Sequence, residues 1–364
     1  MPTYNNFNRA SQRYYAWKKH GQRFKPEPDG PGESPAVARN LAPLEPDTLF
    51  QAPTLVSPVT RNLTNTNRTA TGTNNSTDMH VYFSTAIDGP CVIRTARNVY
   101  VHAGEISITG QIPNAGQSSS TIANYRGLAF NDIKGICFIE GLHIKASEGL
   151  SEGIQTFGSS DGTFIFKNCR IEGIRSKPDD DETYPWNHPD LLQHMTGKLF
   201  MENCTLVDSV YQGLYIHAST TNGIIPEVRM RNVNIERVRR QIFWVNRVQN
   251  NGTIFPAVKQ LDNVYFYQNR GVNTFPLQYD AGHTNVSYNV NSDTYPYIND
   301  CTLEGTYDNG LIAWTDTKFV SNLTSFRKSV DAIDVAPDKR GDFAPANKVG
   351  LNYDATWYLS EYYV

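Results

Sequence analysis

The side chains of this sequence best suited to acid–base chemistry lie between residues 188 and 217. His188 and Asp190 stand at the start of a short apolar segment, DLLQH (190–194), that ends in His194. A second such segment, GLYIH (213–217), contains Tyr215 and ends in His217. Matching positions in two paired β-strands are about 5 Å apart. We therefore predict that His194 and His217 face outward, one strand spacing apart. His188, Asp190 and Tyr215 complete this predicted catalytic patch.

A patch of this composition suits proton abstraction beside the carboxylate of a uronic acid. The reaction needs a base, a cation that neutralises the carboxylate, and an acid for the leaving oxygen. His194 or His217 is the predicted base, and Tyr215 is the predicted acid. The predicted neutralising and substrate-binding cations are Arg239, Arg240 and Arg247.

Hydrolysis of a glycosidic bond is the alternative chemistry, and it needs two carboxyl groups about 5–9 Å apart. Asp190 supplies one in this interpretation, and the acidic loop SKPDDDETYPW (176–186) supplies the other. Oxygen ligands of that loop also suit Ca²⁺, which makes Asp179, Asp180 and Asp181 the predicted metal ligands. Neither reaction is predicted to require a cofactor. The competing interpretation of the loop is a solvated run of charge.

Aromatic and amide side chains recur in the same part of the chain. Exposed aromatic rings stack on the apolar faces of sugars, while amides and guanidinium groups bond the hydroxyls. Besides the arginines, the predicted substrate-binding residues are Gln155, Trp186, Gln278 and Tyr279. Trp244, by contrast, is interpreted as core packing. Carbohydrate binding is thus predicted independently of any catalytic assignment.

These residues must be positioned by a repeated strand unit that begins near residue 80. One recurring element is a short strand followed by Asn or Asp, then Cys or Val. Its main copies are TFIFKNCRI (163–171), KLFMENCTL (198–206), EVRMRNVNI (227–235), KQLDNVYF (259–266) and YPYINDCTL (295–303). Irregular spacing within a narrow range is typical of a solenoid with loops of variable length. We predict that each Asn lies at a turn and bonds the Asn of the next repeat, while the Cys or Val column is interior.

A second recurring strand lies between these copies, and alternation along it predicts which side chains leave the core. The predicted inward residues are Ile154, Leu191, Gln193, Leu214, Ile242 and Phe275. The predicted outward residues include Gln155, Leu192, Tyr215, Phe243 and Pro276.

Two strand columns per repeat favour an all-β fold, a single-stranded right-handed parallel β-helix, over a propeller or a sandwich. The Asn-Cys pattern, together with the string from His188 to Gln193, resembles the pectin-lyase-like β-helix superfamily over roughly residues 80–320. That superfamily includes polysaccharide lyases, glycoside hydrolases and phage tailspike depolymerases. The resemblance implies carbohydrate binding and commonly a homotrimer, without fixing a reaction.

The chain ends differ from the repeats. Residues 1–60 hold nine of the twenty prolines, and their first 25 residues carry six Lys or Arg and no acid. We predict an extended, basic and aromatic anchoring arm over 1–60, a β-helix over 61–324, and a C-terminal cap or subunit-contact segment over 325–364. The alternative interpretation of the arm is a disordered leader.

Composition narrows the function classes. A formal net charge of −3 gives the chain no polycationic signature for nucleic acid. No apolar stretch reaches membrane-spanning length, and the N-terminus lacks the features of a signal peptide. Five cysteines without CxxC spacing predict buried free thiols.

The leading hypothesis is a virion-surface spike or fibre protein, made in a host cytoplasm. Its β-helix would bind, and as a second activity degrade, cell-surface polysaccharide, while the arm docks on a particle, portal or tail protein. The first alternative is a polysaccharide-degrading enzyme, lyase ahead of hydrolase, acting on an acidic polymer. The second is a structural or decoration protein without a glycan ligand.

Overall fold

The computed structural model describes most of the chain's central part and its C-terminus. The ranges are 47–109, 125–146, 152–158, 161–175, 189–217, 225–238, 243–246, 248–250, 253–255, 257–268, 277–280, 297–299, 301–305, 313–314, 326–329 and 342–362. Of the predicted arm, residues 1–46 therefore lie outside the described residues. Across the described ranges the secondary structure is almost entirely β-strand in parallel sheets, which confirms the predicted all-β class.

The larger parallel sheet, sheet A, has 14 strands within the described residues. They are β1 (Val59–Leu63), β3 (Met79–Phe83), β5 (Val99–Val101), β6 (Glu105–Ile108), β8 (Ile136–Glu140), β9 (His143–Ala146), β11 (Thr163–Lys167), β12 (Arg170–Ile174), β14 (Lys198–Ser209), β16 (Glu227–Val238), β20 (Ala257–Gln268), β22 (Tyr297–Asn299), β23 (Cys301–Gly305) and β25 (Phe326–Ser329). The long strands β14 and β16 correspond to pairs such as β11 and β12, because β14 pairs with both of them.

The second parallel sheet, sheet B, has nine strands among the described residues. They are β2 (Thr69–Thr71), β4 (Cys91–Ala96), β7 (Arg126–Ile133), β10 (Glu152–Phe157), β13 (Asp190–His194), β15 (Leu214–His217), β17 (Phe243–Asn246), β21 (Leu277–Asp280) and β24 (Ala313–Trp314). β18 (Val248–Asn250) and β19 (Thr253–Phe255) form a separate antiparallel hairpin. The chain visits sheets A and B in turn, so each repeat adds a strand to each sheet.

The hydrophobic core lies on the inner faces of both sheets, where alternating apolar side chains of successive repeats meet. Phe164 and Phe166, with Leu199 and Met201 of the next repeat, are essentially inaccessible to solvent. Burying one such side chain contributes roughly 1.5–3 kcal/mol. The predicted burial of free thiols is confirmed for the four described cysteines.

An asparagine turn bends each central repeat of sheet A. Asn168, Asn203 and Asn232 have φ values of 56°, 51° and 55°, in the left-handed region that Asn tolerates. The Nδ2 group of Asn203 donates to Oδ1 of Asn168 at 3.1 Å, and that of Asn232 donates to Oδ1 of Asn203 at 2.9 Å. These bonds confirm the predicted asparagine column, and buried Cys204 pairs with buried Val233 beside it.

The C-terminal segment, residues 342–362, packs on this asparagine turn. It contains a 3-10 helix (Gly350–Asn352) and one α-helix, α1 (Ala355–Tyr362). Tyr353 accepts a hydrogen bond from Nδ2 of Asn168 at 3.0 Å and donates to Glu140 at 2.6 Å. Gly141 has φ +70°, and a Cβ there would lie 2.4 Å from the Tyr353 ring. In the preceding repeat, Gly141 stands at the position of Asn168. The Tyr353 hydroxyl there takes the place of the missing Asn side chain as the partner of Asn168.

Candidate functional site

A strip of polar and aromatic side chains runs across the outer face of sheet B. The register pairs Gln155 with Gln193, Gln193 with Tyr215, and Tyr215 with Trp244. We call these four residues the sheet B strip. Nε2 of Gln155 donates to Oε1 of Gln193. The rings of Tyr215 and Trp244 stack with centroids 4.5 Å apart and planes 25° apart. Amides and stacked rings therefore adjoin on four consecutive strands.

The opposite face of the same strands explains why the strip points outward. Ile154, Leu192, Leu214 and Phe243 form the neighbouring register column, and all four are fully buried in the core. Because successive side chains of a strand point to opposite faces, the residue after each of them points away from the core. The outward orientations predicted for Gln155 and Tyr215 are confirmed.

His217 lies on the outer face beside the strip, two residues beyond Tyr215. The centroids of these two rings are 5.2 Å apart, and His217 is half-buried. The predicted proximity of Tyr215 and His217 is confirmed.

Two carboxyl groups lie at the start of the strands that carry the glutamines. Glu152 and Asp190 are Cα partners on β10 and β13, and Glu152 is also the partner of Arg126 on β7. Nε of Arg126 lies 3.3 Å from Oε2 of Glu152. The Arg126 guanidinium also lies 5.2 Å from the centre of the Phe157 ring. We call Arg126, Glu152 and Asp190 the carboxyl cluster.

The carboxyl cluster lies at the N-terminal ends of β7, β10 and β13, just before the side chains that enter the core. A Cβ added to Gly153 would meet the core residues Ile171 and Ile174, and Leu191 itself belongs to the core. Ile154 and Leu192, one residue further on, are also buried in the core, so regular alternation is broken here. The prediction that Asp190 lies on an exposed face is wrong, because Asp190 is completely buried.

Asp190 is an unusual carboxyl group within this cluster. It is completely buried, and neither of its oxygens has a hydrogen-bond partner among the described residues. Burial first, and then the charge of Glu152, raise the pKa of Asp190 well above its usual range. Burial and the neighbouring charge therefore favour the protonated form of Asp190, whereas Glu152 lies against the cation Arg126. A protonated and a charge-paired carboxyl side by side provide an acid and a base.

The prediction that His194 faces outward is wrong. His194 is fully buried, and its Cα partner on β15 is Ile216 rather than His217. Its Nδ1 lies 2.8 Å from Oγ1 of Thr156, and its Nε2 lies 3.0 Å from the Gly197 carbonyl. Burial lowers the pKa of His194 to about 4. Both ring nitrogens are engaged, so His194 is an interior residue and not a base at the surface.

Four further orientations along the second strand are corrected. Leu192 and Phe243 were predicted to face outward but are fully buried. Gln193, predicted to face inward, belongs to the strip. Trp244, predicted to be core packing, stacks on Tyr215 instead, and its partly buried indole nitrogen has no hydrogen-bond partner among the described residues.

Most of the remaining predicted site residues lie outside the described residues. These are His188, Trp186, Arg239, Arg240, Arg247 and the predicted calcium ligands Asp179, Asp180 and Asp181. For Gln278 and Tyr279 only backbone register is described: Gln278 pairs with Trp244, and Tyr279 pairs with Val245. No group of three or more His, Cys, Asp or Glu side chains suited to a metal ion occurs in the described part of the chain. No helix there is long and apolar enough to cross a membrane.

Sequence reasoning missed Arg126, Glu152 and the outward role of Gln193. A usable signal existed, because Glu152 precedes Gly153 and Ile154 as Asp190 precedes Leu191 and Leu192. Aligning the strands on the buried pair Ile154 and Leu192 places the two acids side by side.

Comparison with known proteins returned no match: no family model, no curated protein and no solved structure is significantly similar to this chain.

Proposed function

We propose that this chain is a right-handed parallel β-helix of the pectin-lyase-like kind that binds cell-surface polysaccharide as a virion-surface spike or fibre protein. Support for the fold comes from strict alternation of the chain between two parallel sheets and from the asparagine column. Support for spike attachment comes from the basic, aromatic and proline-rich composition of residues 1–60, which suits docking on a particle protein. A homotrimer and a virion-surface location belong to this proposal.

The stacked pair Tyr215 and Trp244 beside the glutamines is the observation that carries polysaccharide binding. A sugar ring presents an apolar face that stacks on an aromatic ring, and its hydroxyls bond amide groups. Successive strands of a parallel sheet are about 4.8 Å apart, close to the length of one sugar residue in an extended chain. Gln193 and Trp244, which are half-buried, would contact consecutive residues of a polysaccharide lying across the strands, and buried Gln155 and Tyr215 hold them in place.

Retention on a panel of capsular and exopolysaccharides tests this binding. We expect the full chain to be retained on at least one glycan and Trp244→Ala or Gln193→Ala to weaken that retention about tenfold or more, because each removes a contact made by the outer face. Tyr82→Ala is the matched control, since Tyr82 is an exposed aromatic residue on sheet A. Equal retention of all variants would place the glycan elsewhere, and no retention on any glycan would favour the structural alternative.

Glycoside hydrolysis is the second candidate function, favoured by the carboxyl cluster. Asp190 would donate a proton to the leaving glycosidic oxygen, and Glu152 would act as the base or nucleophile. This role requires a movement that exposes the buried Asp190 carboxyl to the substrate. A lyase has weaker support, because His194 is engaged through both nitrogens and His217 is the one histidine left as a base on the outer face of the described part of sheet B.

Release of new reducing ends without unsaturated-uronate absorbance tests hydrolysis. We expect Asp190→Asn and Glu152→Gln each to lower the rate by about 10²–10⁴-fold, as loss of a general acid or base does. Because the pKa of Asp190 is raised, activity should persist above the ordinary carboxyl range and fall once Asp190 ionises.

Asp161→Asn, a change at an exposed carboxyl paired with Lys134, is the control for the hydrolysis assay. A rise in uronate absorbance would instead establish a lyase. Glycan retention with no new reducing ends would leave a binding protein without catalysis.

A further inference from the structure

Two histidines outside the proposed glycan site face each other on sheet A. His80 lies on β3 and His102 directly follows β5, which pairs with β3 in parallel. The backbone N–H of His102 donates to the Val81 carbonyl at 2.9 Å, which continues this pairing. Nδ1 of His80 and Nε2 of His102 are 2.8 Å apart. The two imidazoles are thus joined by a hydrogen bond between one nitrogen of each ring.

The aromatic neighbours hold the rings in this arrangement. The His102 ring stacks on Tyr82 with centroids 4.1 Å apart and on Tyr100 with centroids 3.9 Å apart, at interplanar angles of 5° and 20°. The Tyr100 hydroxyl is fixed by a 2.6 Å hydrogen bond to Glu140. Tyr82 is 38% exposed and both histidines are half-buried, so the site is open to solvent. The two imidazole rings are therefore held in one orientation before any ligand binds.

The nitrogen–nitrogen distance is close to the one that metal chelation requires. Two nitrogens at about 2.0–2.1 Å from one metal ion, at angles between square and tetrahedral, are about 2.8–3.4 Å apart. The observed 2.8 Å is at the lower end of this range, which corresponds to a square arrangement. A hydrogen bond between two imidazoles uses one proton, and moving that proton to the far nitrogen of its ring frees both facing lone pairs.

The surrounding charge is compatible with a cation. In the described part of the chain, the far nitrogens of His80 and His102 have no hydrogen-bond partner, so either can carry the displaced proton. The carboxylate of Glu140 lies close enough to favour positive charge at His102, although burial and His80 outweigh it and hold the pKa of His102 below its usual range. A neutral imidazole is the form that ligates a metal ion.

We propose that His80 and His102 form a two-ligand site for a divalent late transition-metal cation, with water completing the coordination. Imidazole nitrogens select Cu²⁺, Ni²⁺ and Zn²⁺, whereas Ca²⁺ and Mg²⁺ prefer oxygen ligands. The site lies on sheet A, and it is independent of the glycan strip on sheet B.

Titration of the full chain with Cu²⁺ tests the proposal, because Cu²⁺ is the strongest binder in this series. We expect calorimetry to find one preferred site and electron paramagnetic resonance to show coupling to two imidazole nitrogens. His80→Gln and His102→Gln should each weaken the affinity at least about tenfold and reduce the coupling to one nitrogen. His217→Gln, which changes a half-buried histidine on sheet B, should leave both readouts unchanged.

Circular dichroism establishes that each variant is folded, so a lost site is distinguished from a lost structure. The proposal is overturned if His80→Gln and His102→Gln bind Cu²⁺ as the unchanged chain does, or if His217→Gln weakens binding equally. In that case the two histidines form only a structural hydrogen bond. Ca²⁺, titrated in parallel, is expected to produce no heat from this site.

Discussion

The hydrogen bonds of His194 define its protonation state. The Gly197 carbonyl can only accept a hydrogen bond, so Nε2 of His194 carries the proton. Nδ1 then accepts from the Thr156 hydroxyl, and that same oxygen accepts from the Met195 backbone N–H at 3.2 Å. A second proton on His194 would disrupt this arrangement in a fully buried position. The neutral ring is therefore part of the folded structure.

This state predicts a pH dependence of stability. Because the pKa of His194 is about 4 when folded and about 6.5 when unfolded, its contribution is complete above pH 6.5 and is lost as the pH falls toward 4. The loss amounts to up to about 3 kcal/mol. We expect the chemical denaturation midpoint of the native chain to fall more steeply between pH 7 and pH 4.5 than that of His194→Gln, which does not titrate.

His217→Gln is the control for this measurement, because His217 is half-buried and lies on the outer face. Its curve should follow that of the native chain. If the denaturation midpoints of the native chain and of His194→Gln fall equally with pH, His194 is not the source of the pH dependence.

At the scale of the strand and the turn, the asparagine column joins three repeats through side-chain bonds. Asn203 is the central member, since it donates to Asn168 and accepts from Asn232. Its backbone also has φ 51°, where an L-residue without local side-chain bonds is strained by about 1–2 kcal/mol. Asn therefore serves both as the turn residue and as the link to its neighbours.

Substitutions at Asn203 separate these two contributions. We expect Asn203→Ala to lower the free energy of unfolding by about 2–4 kcal/mol, from lost hydrogen bonds and from strain. Asn203→Gly should cost less, because Gly adopts positive φ without strain while losing the same bonds. Chemical denaturation measures both. A Gly variant as unstable as the Ala variant would argue against backbone strain.

The asparagine turn was predictable from sequence, whereas the register of the second strand was not. Asn followed by Cys or Val recurs because one turn geometry is used in each repeat, and this leaves a visible pattern. In β13, Leu191 and Leu192 are both fully buried, so the alternation is broken at this point. Counting from Leu191 places His194 outside, while counting from Leu192 places it inside. Two adjacent leucines give no sign of which count applies.

The candidate site was therefore predicted in part. The outward positions of Gln155 and Tyr215 followed from counting from Ile154 and Leu214, which do face the core. Glu152 was missed because its pairing with Asp190 depends on the same broken alternation, and no local motif marks it. The abundance of aromatic residues in this part of the chain was evident from the sequence. The stacking of Trp244 on Tyr215 was not, because it depends on the pairing register of β15 and β17.

At the scale of the whole molecule, segments from both ends of the chain cover the middle repeats of sheet A. Phe50 packs with an outward apolar column of sheet A that contains Phe138, Ile165 and Phe200. The C-terminal segment covers the adjacent asparagine turn. Without Phe50 and its neighbours, the outward apolar column would be exposed to solvent. These segments are therefore part of the folded structure.

Buried charge makes the C-terminal contact specific. Arg170 is 6% exposed, and its Nη1 donates to Asp342 at 2.8 Å and to the Ala344 carbonyl at 3.0 Å. Its Nε donates to Glu172 at 2.8 Å. Asp342 also accepts from the Thr205 hydroxyl at 2.6 Å. Removing the segment would leave Arg170 with Glu172 as its one carboxylate partner and would leave the Thr205 hydroxyl without Asp342.

Deletion of residues 342–364 should therefore destabilise the entire central region. We expect a loss of about 3–5 kcal/mol, the usual cost of removing one partner from a buried ion pair, seen as a lower denaturation midpoint. Asp342→Asn should show a smaller loss, because it retains the backbone contacts and one acceptor oxygen. Deletion of residues 363–364 alone is the control, and its midpoint should be unchanged.

Adding a synthetic peptide of residues 342–364 to the shortened chain distinguishes docking from a general effect of truncation. A specific contact predicts saturable recovery of the midpoint, because a ligand that binds only the folded state stabilises it by mass action. The same peptide with Tyr353→Phe should recover less, since it lacks the hydroxyl that joins Asn168 to Glu140. If the deletion leaves the midpoint unchanged, Arg170 is accommodated without Asp342, and the segment is dispensable for the fold.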